Sequence, residues 1–246
     1  MAVQVPKTGF EKWQDGINKA VNNAKWNAWD CEIHRAVNEY NQHLSGTPGY
    51  RRLDWQLIKA MIWVETGAHT SDWNFRPMQI GMAGDPGLKA LLSGNEGGDL
   101  ILPPAWKGRL TMESARVNPA HNIRAGIGYL LMRMANFKYQ SMPGADARVY
   151  EITVKPGDSL DKIARVQGST VDTLKKLNPT AAVLRPGQVL KYQKASIQRV
   201  IVGWKDFSTR TIALYYNSMQ SDPNYVRKID YALFVVRKGK ASPCTQ

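Results

Sequence analysis

The chain has 246 residues, 43% hydrophobic and 22% charged, a composition typical of a globular protein with one large core or two smaller ones. Lys and Arg outnumber Asp and Glu by 33 to 20, and the net charge of +13 favours a polyanionic partner such as nucleic acid, an anionic membrane or an anionic cell wall. No apolar run approaches the roughly 18 residues that a membrane-spanning helix needs, and no dense basic run or nucleic-acid-binding motif is present, which argues against a membrane span and against a nucleic-acid partner.

The N-terminal part of the chain predicts helices. Apolar residues recur at helical spacing over residues 9–44, and a cluster of Ser, Gly and Pro at 45–49 ends that pattern. A further helix is predicted from about Leu53 to near Gly67, with Asp54 as its N-cap.

The next segment is rich in Gly and Pro and predicts loops over residues 68–110. Residues 118–138 again carry an apolar stripe at helical spacing, and Asn118-Pro119 is typical of a helix start. A helix is therefore predicted there, ended by the breaker sequence at 141–144.

The pattern changes at residue 150. Residues 150–154 alternate as in a β-strand, and the turn at 155–158 contains Pro-Gly. Two short helices follow, with Ser159 capping the first, Gly168 ending it, and Ser169 or Thr170 capping the second. A second Pro-Gly turn and a closing strand complete a βααβ unit.

Residues 196–238 are predicted to be mainly helical, with candidate helices at 204–219 and 223–238. The order predicts an α+β protein. A mainly α domain of residues 1–149 and 194–246 would contain an inserted module of residues 150–193, with residues 1–50 as a helical N-terminal extension.

The two cysteines, Cys31 and Cys244, belong to no CxxC pair and do not stand at metal-ligand spacing from a histidine, which argues against a zinc site. The sequence leaves two alternatives open: a disulfide that joins the tail to the early helices, and two free thiols.

The βααβ unit carries the first family resemblance. The strand at 150–154, the turn and cap at 156–160, Leu177-Asn178-Pro179 and the segment 184–190 follow in the order and spacing of a LysM module, and residues 150–192 resemble that family. Members bind polymers that contain N-acetylglucosamine, such as peptidoglycan or chitin. The resemblance implies a sugar groove between the first turn and the loop after the second helix, formed by Gly157, Asp158, Ser159, Leu160, Asn178, Pro179 and Thr180.

The helical part carries a second resemblance, in four motifs. They are Glu65-Thr66 after an apolar helix, Met78-Gln79-Ile80, the segment 118–130 with its Asn-Pro and Asn-Ile pairs, and the segment 213–229 beyond the βααβ unit. Their order resembles lysozyme-like lytic transglycosylases and goose-type lysozymes. The chain departs from the family at Arg76-Pro77, where Gly-Leu is usual, and in its short loop between the first two motifs.

This resemblance implies that Glu65 delivers a proton to the glycosidic oxygen. The neighbours Trp63, Val64 and Met78 are apolar, and partial desolvation would raise the pKa of its carboxyl group towards neutral pH. A hydrolase adds a second carboxylate, for which Asp72 and Asp85 are the candidates, whereas a lytic transglycosylase uses the single Glu twice. The sequence leaves both outcomes open.

The same resemblance implies a substrate cleft. Gln79 and Asn217 would hydrogen-bond the substrate or orient Glu65, and Tyr216 would line the cleft or hold Glu65 through its hydroxyl group. The predicted substrate-binding residues are Met78, Gln79, Tyr129, Tyr216 and Asn217. Three aromatic residues predicted in loops, Trp73, Phe75 and Trp106, are candidates for stacking on sugar rings.

The sequence therefore predicts a cofactor-independent muramidase that cuts glycan strands of peptidoglycan. Its substrate lies in the periplasm or cell wall, yet the N-terminus lacks an apolar stretch of signal-peptide length, which predicts specialised export or phage-type delivery. An antibacterial effector of this kind would imply a secretion-system component and a cognate immunity protein as partners. Two alternatives remain: a non-catalytic wall-binding or scaffold protein, and a chitin-acting enzyme.

Overall fold

The computed structural model describes residues 6–217, 222–239 and 244. The chain divides into two compact units, one of residues 1–136 and 201–246 and the other of residues 137–200. Helices and small β-sheets together make an α+β protein.

The elements follow one another in this order: α1 (Gly9–Ala20), α2 (Asp30–Leu44), α3 (Trp55–Glu65), α4 (Pro86–Ser93), α5 (Gly98–Ile101), α6 (Met112–Val117), α7 (Pro119–Met134), β1 (Ala135–Pro143), β2 (Val149–Thr153), α8 (Leu160–Gln167), α9 (Val171–Leu177), β3 (Val189–Gln193), β4 (Ala195–Trp204), α10 (Thr209–Tyr216) and α11 (Tyr225–Lys238). Short 3₁₀ turns lie at Ser71–Asn74 and Pro104–Trp106.

The helices of the first unit begin where the sequence provides caps. The side chain of Asp54 accepts a hydrogen bond from the backbone N–H of Gln56 and caps α3, as predicted. Asn118 caps α7 through the N–H groups of Ala120 and His121, with Pro119 at the first helical position. These caps fix the starting points of the two helices that carry the apolar core.

The core of the first unit is organised around α7 and α3. Helix α7 packs against α2, α4, α6 and α10, and its apolar stripe, including Ile123, Ile127, Leu130 and Leu131, is fully buried. Helix α3 packs against α2 and most extensively against α11. The C-terminal end of α3, where Glu65 lies, is therefore held by the last helix of the chain.

Two predicted helical segments are strands. The predicted helix over 118–138 ends at Met134, and residues 135–143 form β1. Residues 195–204 form β4, which pairs with β1, so the prediction that 196–238 is mainly helical was wrong for residues 196–204. The β-branched residues at 197, 200, 201 and 202 favour a strand, and β1, distant in sequence, supplies the backbone hydrogen bonds that the helical interpretation ignored.

The second unit contains the predicted βααβ order. Strands β2 and β3 pair antiparallel, from Val149 opposite Gln193 to Thr153 opposite Val189. Ser159 caps α8, Gly168 ends it in the left-handed conformation, and Thr170, one of the two predicted residues, caps α9. A small apolar core joins the helices to the strands: Val154, Ile163, Ala164, Leu174, Ala181 and Leu190.

Cys31 and Cys244 form a disulfide, with their Cα atoms 5.2 Å apart. Of the two alternatives that the sequence left open, the structure therefore has the bond between α2 and the C-terminal segment. Among the described residues, no helix combines the length and the apolar composition needed to cross a bilayer.

Candidate active site

Glu65, the last residue of α3, lies in a cleft of about 240 Å³. The cleft gathers seven of the residues singled out from the sequence in the first unit: Glu65, Met78, Gln79, Asp85, Tyr129, Tyr216 and Asn217. Ile80, Pro86 and Gly87 complete its lining. The residues come from α3, α4, α7, the C-terminal end of α10 and the segment between α3 and α4, so only the packing of the helices brings them together.

The carboxyl group of Glu65 has an unusual protonation equilibrium. Burial raises its pKa to about 7, because removal from water penalises the charged form, and a hydrogen bond from Tyr225 partly opposes this effect. A carboxyl group with this pKa is a mixture of acid and base near neutral pH. It is thus suited to donating and then accepting a proton.

The hydroxyl group that holds Glu65 belongs to Tyr225, at the start of α11. Its Oη donates a hydrogen bond to Oε1 of Glu65. Tyr216 had been a candidate for this contact, but its hydroxyl group donates to the backbone oxygen of Met78, at 2.8 Å. The pKa of Tyr225 is raised, mainly by burial and then by the charge of Glu65, so it remains a donor over the physiological pH range.

The segment Met78–Ile80 forms one wall of the cleft and is held by a buried amide. Oδ1 of Asn122 accepts from the N–H of Met78 at 2.8 Å, and its Nδ2 donates to the backbone oxygen atoms of Ile80 at 2.8 Å and Ala115 at 2.7 Å. Asn122 is fully buried on α7. Two backbone groups of a loop without secondary structure are satisfied in this way, and the third contact ties Asn122 to α6, so the wall has a fixed geometry.

Further contacts confine the same segment. The hydroxyl group of Thr66 donates to the backbone oxygen of Pro77 at 2.5 Å, and Gly126 lies so close to Met78 that an added Cβ would be 2.5 Å from the Met78 Cβ. Gln79 has φ of 52°, a left-handed conformation that is strained for a residue with a side chain. Strain of this type persists where the surrounding structure imposes it.

The two candidate second carboxylates are both engaged in structural contacts. Asp85 caps α4: its Oδ1 accepts from the N–H groups of Gly87 and Leu88, and its Oδ2 accepts from that of Gly81. Asp72 is outside the cleft lining and pairs with Arg76 at 2.7 Å and with Nε2 of Gln79 at 3.2 Å. These contacts lower the pKa of Asp72, first through the hydrogen bond from Arg76.

The predicted exposed aromatics differ from the expectation. Trp73 is only 2% exposed and Trp106 only 9%, whereas Phe75 is 50% exposed. Trp73 packs against Trp26 and Trp29, and Nε1 of Trp106 donates to Glu39 at 2.8 Å. The prediction of loops over residues 68–110 was wrong at α4, at α5 and at the two 3₁₀ turns, which carry Trp73 and Trp106. A Gly- and Pro-rich pattern also does not show whether a large ring will be covered by other elements, so two of the three stacking candidates were wrong.

The candidate sugar-groove residues of the second unit lie in two turns. Gly157, with φ of 77°, allows the turn in which Asp158 accepts from the N–H of Lys155, and Ser159 caps α8. Asn178, at the end of α9, accepts from the N–H of Lys191 at 2.9 Å and donates to its backbone oxygen at 2.7 Å. The side chain of Asn178 therefore anchors its turn to β3. Leu160 packs against the core of the unit, and Pro179 is exposed in the turn.

Part of the second unit matches a known protein family. Residues 152–192 match the LysM domain. The match supports a module that binds peptidoglycan or other N-acetylglucosamine polymers, and so contact with cell-wall glycan. No curated protein and no solved structure matches the chain. The LysM domain lies wholly within the second unit and includes both of its Pro-Gly turns.

Two residues that shape the cleft were not selected as site residues from the sequence. Tyr225 and Asn122 both stood inside the motifs that carried the lysozyme-like resemblance, which was the available signal. Their roles depend on which atoms they reach, Oε1 of Glu65 and the backbone of Met78–Ile80, and sequence spacing does not give those distances.

Proposed function

We propose that this protein cleaves the β-1,4 bond between N-acetylmuramic acid and N-acetylglucosamine in peptidoglycan, with Glu65 as general acid and base. The observation that carries the proposal is the desolvated carboxyl group of Glu65, with a pKa of about 7, in a cleft lined by polar side chains. The LysM domain would hold the polymer, and the net charge of +13 favours approach to an anionic wall.

The reaction begins with protonated Glu65. Its proton passes to the glycosidic oxygen as the bond to the muramic C1 breaks and an oxocarbenium-like centre develops. The resulting carboxylate, still held by Tyr225, then removes a proton from the nucleophile that attacks C1. If that nucleophile is the muramic 6-hydroxyl group, the product is a 1,6-anhydro sugar, and if it is water, the product is a reducing end.

The contacts of Asp72 and Asp85 favour the anhydro product. A water-positioning base needs a free carboxylate oxygen directed at the cleft, and both oxygen atoms of Asp85 accept backbone N–H groups. Asp72 is paired with Arg76 and does not line the cleft. Glu65 would thus act alone, as in a lytic transglycosylase.

The disulfide between Cys31 and Cys244 is consistent with an oxidising compartment such as the one where peptidoglycan lies. We therefore propose that the protein acts on the cell wall, outside the reducing cytoplasm.

The direct test is mass spectrometry of the fragments released from purified peptidoglycan by the wild type, Glu65→Gln and Asp72→Asn. We expect 1,6-anhydro fragments from the wild type and Asp72→Asn, and a loss of about 10³-fold in rate for Glu65→Gln. Reducing-end products that disappear in Asp72→Asn would indicate hydrolysis with a second carboxylate.

A wild type that binds purified walls but releases nothing would contradict the enzymatic proposal and leave a wall-binding protein. Parallel digestion of chitin distinguishes the remaining alternative, because a chitin-acting enzyme would release chitin oligomers at a comparable rate.

A further inference from the structure

The second unit contains a groove between a strand outside the residues matched to the LysM domain and a helix within them. It has a volume of about 490 Å³, within the usual size range of small-molecule sites. Strand β1 forms one wall with Tyr139, Gln140, Ser141 and Pro143, and α9 forms the other. None of the turn residues 157–160 and 178–180, where the family resemblance puts the sugar site, lines this groove.

The two walls are fixed to each other by hydroxyl groups. Oγ of Ser141 is hydrogen-bonded to Oγ1 of Thr170, the N-cap of α9, and to Oγ1 of Thr173, at 2.9 Å. The N–H of Gly144 also donates to the backbone oxygen of Lys194, at 2.8 Å. The groove is therefore a built feature of the unit and not a gap between separate segments.

An aromatic ring stands at the edge of the groove and is held in place. Tyr139 is 66% exposed, yet Nη2 of Arg199 donates to its hydroxyl group at 2.7 Å and the guanidinium group lies 5.2 Å from the ring centroid. An exposed ring whose orientation is fixed by a neighbouring cation gives a flat apolar surface at little conformational cost.

The facing helix supplies polar groups of both signs. Asp172 and Thr173 of α9 both line the groove, and each lies beside Lys176, because residues four or three positions apart are neighbours on a helix. Within the part of the chain that the structure describes, the side chains of Gln140, Asp172 and Lys176 make no hydrogen bond or ion pair. An amide, a carboxylate and an ammonium group are thus available around an apolar ring.

This combination suits a neutral ligand with many hydroxyl groups. The unit as a whole is basic, with eleven Lys and Arg against five Asp and Glu over residues 137–200, but within the groove Asp172 offsets Lys176. A polyanion would meet the carboxylate directly, whereas a sugar ring can stack its apolar face on Tyr139 and hydrogen-bond both charges.

We propose that the groove between β1 and α9 is a second carbohydrate-binding site, which takes a segment of an N-acetylated amino-sugar chain. The ligand class follows from the ring and the polar groups, and from the adjacent LysM domain, whose family supports binding of the same polymer. The proposal does not depend on Glu65 cleaving the polymer.

The test uses the full chain carrying Glu65→Gln, so that no ligand is consumed, and a β-1,4-linked N-acetylglucosamine oligomer as the probe. We expect the backbone amide resonances of Tyr139, Gln140, Thr173 and Lys176 to shift on titration. The affinity obtained from the titration of these resonances should fall about tenfold in Tyr139→Ala, the equivalent of about 1.4 kcal/mol. Tyr139→Phe, which keeps the ring, should weaken it much less.

The adjacent lysines of α9 provide a matched control. Lys176 lines the groove and Lys175 is exposed elsewhere, since neighbouring helical positions point about 100° apart. Lys176→Ala should weaken binding several-fold and Lys175→Ala should leave it unchanged.

Three results would overturn the proposal. Shifts confined to residues 157–160 and 178–180 would leave only the site that the family implies. Equal losses for Lys175→Ala and Lys176→Ala would show that the effect on binding is not specific to the groove. Shifts of the groove residues with a sulfated polyanion but not with the neutral oligomer would make the groove an anion-binding surface.

Discussion

Tyr225 donates a hydrogen bond to Glu65 from 160 positions further along the chain. The hydroxyl group stabilises the carboxylate and lowers its pKa, while burial raises it, and the balance is a pKa of about 7. Glu65 must be protonated to act as an acid, so kcat/KM on peptidoglycan should fall as the pH rises above about 7.

Removal of that hydroxyl group should shift the pH profile in a defined direction. Tyr225→Phe takes away the interaction that lowers the pKa of Glu65, so the alkaline limb of the profile should move to higher pH, with a lower maximum rate because the carboxylate is less well held. Measurement of kcat/KM against pH tests this. The control is Tyr216→Phe, which loses the hydrogen bond to Met78 and should leave the alkaline limb where it is. A shift of the limb to lower pH in Tyr225→Phe would contradict the role of Tyr225 as the hydrogen-bond donor to Glu65.

The raised pKa of Glu65 also predicts a cost in stability. A carboxyl group with a pKa of about 7 in the folded state and an ordinary value of 4.5 in water destabilises the fold progressively as the pH rises from 4.5 to 7. Glu65→Gln stays neutral, so its stability relative to the wild type should increase over this window, by roughly 3 kcal/mol at most.

Denaturant unfolding at several pH values measures this difference. Asp72→Asn is the control with the opposite sign: the lowered pKa of Asp72 contributes stability that is present above its unfolded pKa and lost as the pH falls through its folded value. A Glu65→Gln variant whose stability relative to the wild type does not change between pH 4.5 and pH 7 would show that the carboxyl group is well solvated.

The close approach of α7 to the cleft wall predicts the effect of a single methyl group. In Gly126→Ala the new Cβ would lie 2.5 Å from the Cβ of Met78, so the Met78–Ile80 segment must move. We expect the free energy of unfolding to fall by about 1–3 kcal/mol. We also expect the rate of glycan cleavage by the folded protein to fall, because the wall of the cleft is displaced.

Gly16 of α1 provides the matched control, because an added Cβ there has nothing within 4 Å. Gly16→Ala should stabilise the protein by about 0.5–1 kcal/mol through the usual helix preference and leave cleavage unchanged. Thermal unfolding together with the cleavage assay separates the two variants; similar behaviour of both would show that the Met78 segment is not constrained by Gly126.

The disulfide predicts a dependence of stability on redox conditions. It joins residues 213 positions apart, and in the chain-entropy account a loop of this length is worth up to about 5 kcal/mol. Unfolding of the wild type should therefore shift to lower denaturant concentration on addition of a reductant. The double variant Cys31→Ser/Cys244→Ser should unfold at that lower concentration with or without reductant, and a wild type insensitive to reductant would contradict the prediction.

The sequence by itself determined the local features of this protein. Helix caps at Asp54 and Ser159, the stop at Gly168 and the order of the LysM domain depend on the conformational preferences of a few neighbouring residues, and these the pattern predicted correctly. The sequence also singled out Glu65 and most of the cleft lining through motif order, and the lysozyme-like assignment itself stays a prediction.

Tertiary structure decided the features that depend on distant partners. The pairing of β1 with β4 replaced predicted helix, because the hydrogen bonds of a strand come from a segment that is distant in sequence. The choice of Tyr225 over Tyr216 as the partner of Glu65, the three contacts of Asn122 and the bond between Cys31 and Cys244 were likewise settled by packing. The pKa of about 7 for Glu65 depends on the folded structure, because burial and the hydrogen bond from Tyr225 determine the free energy of its charged form.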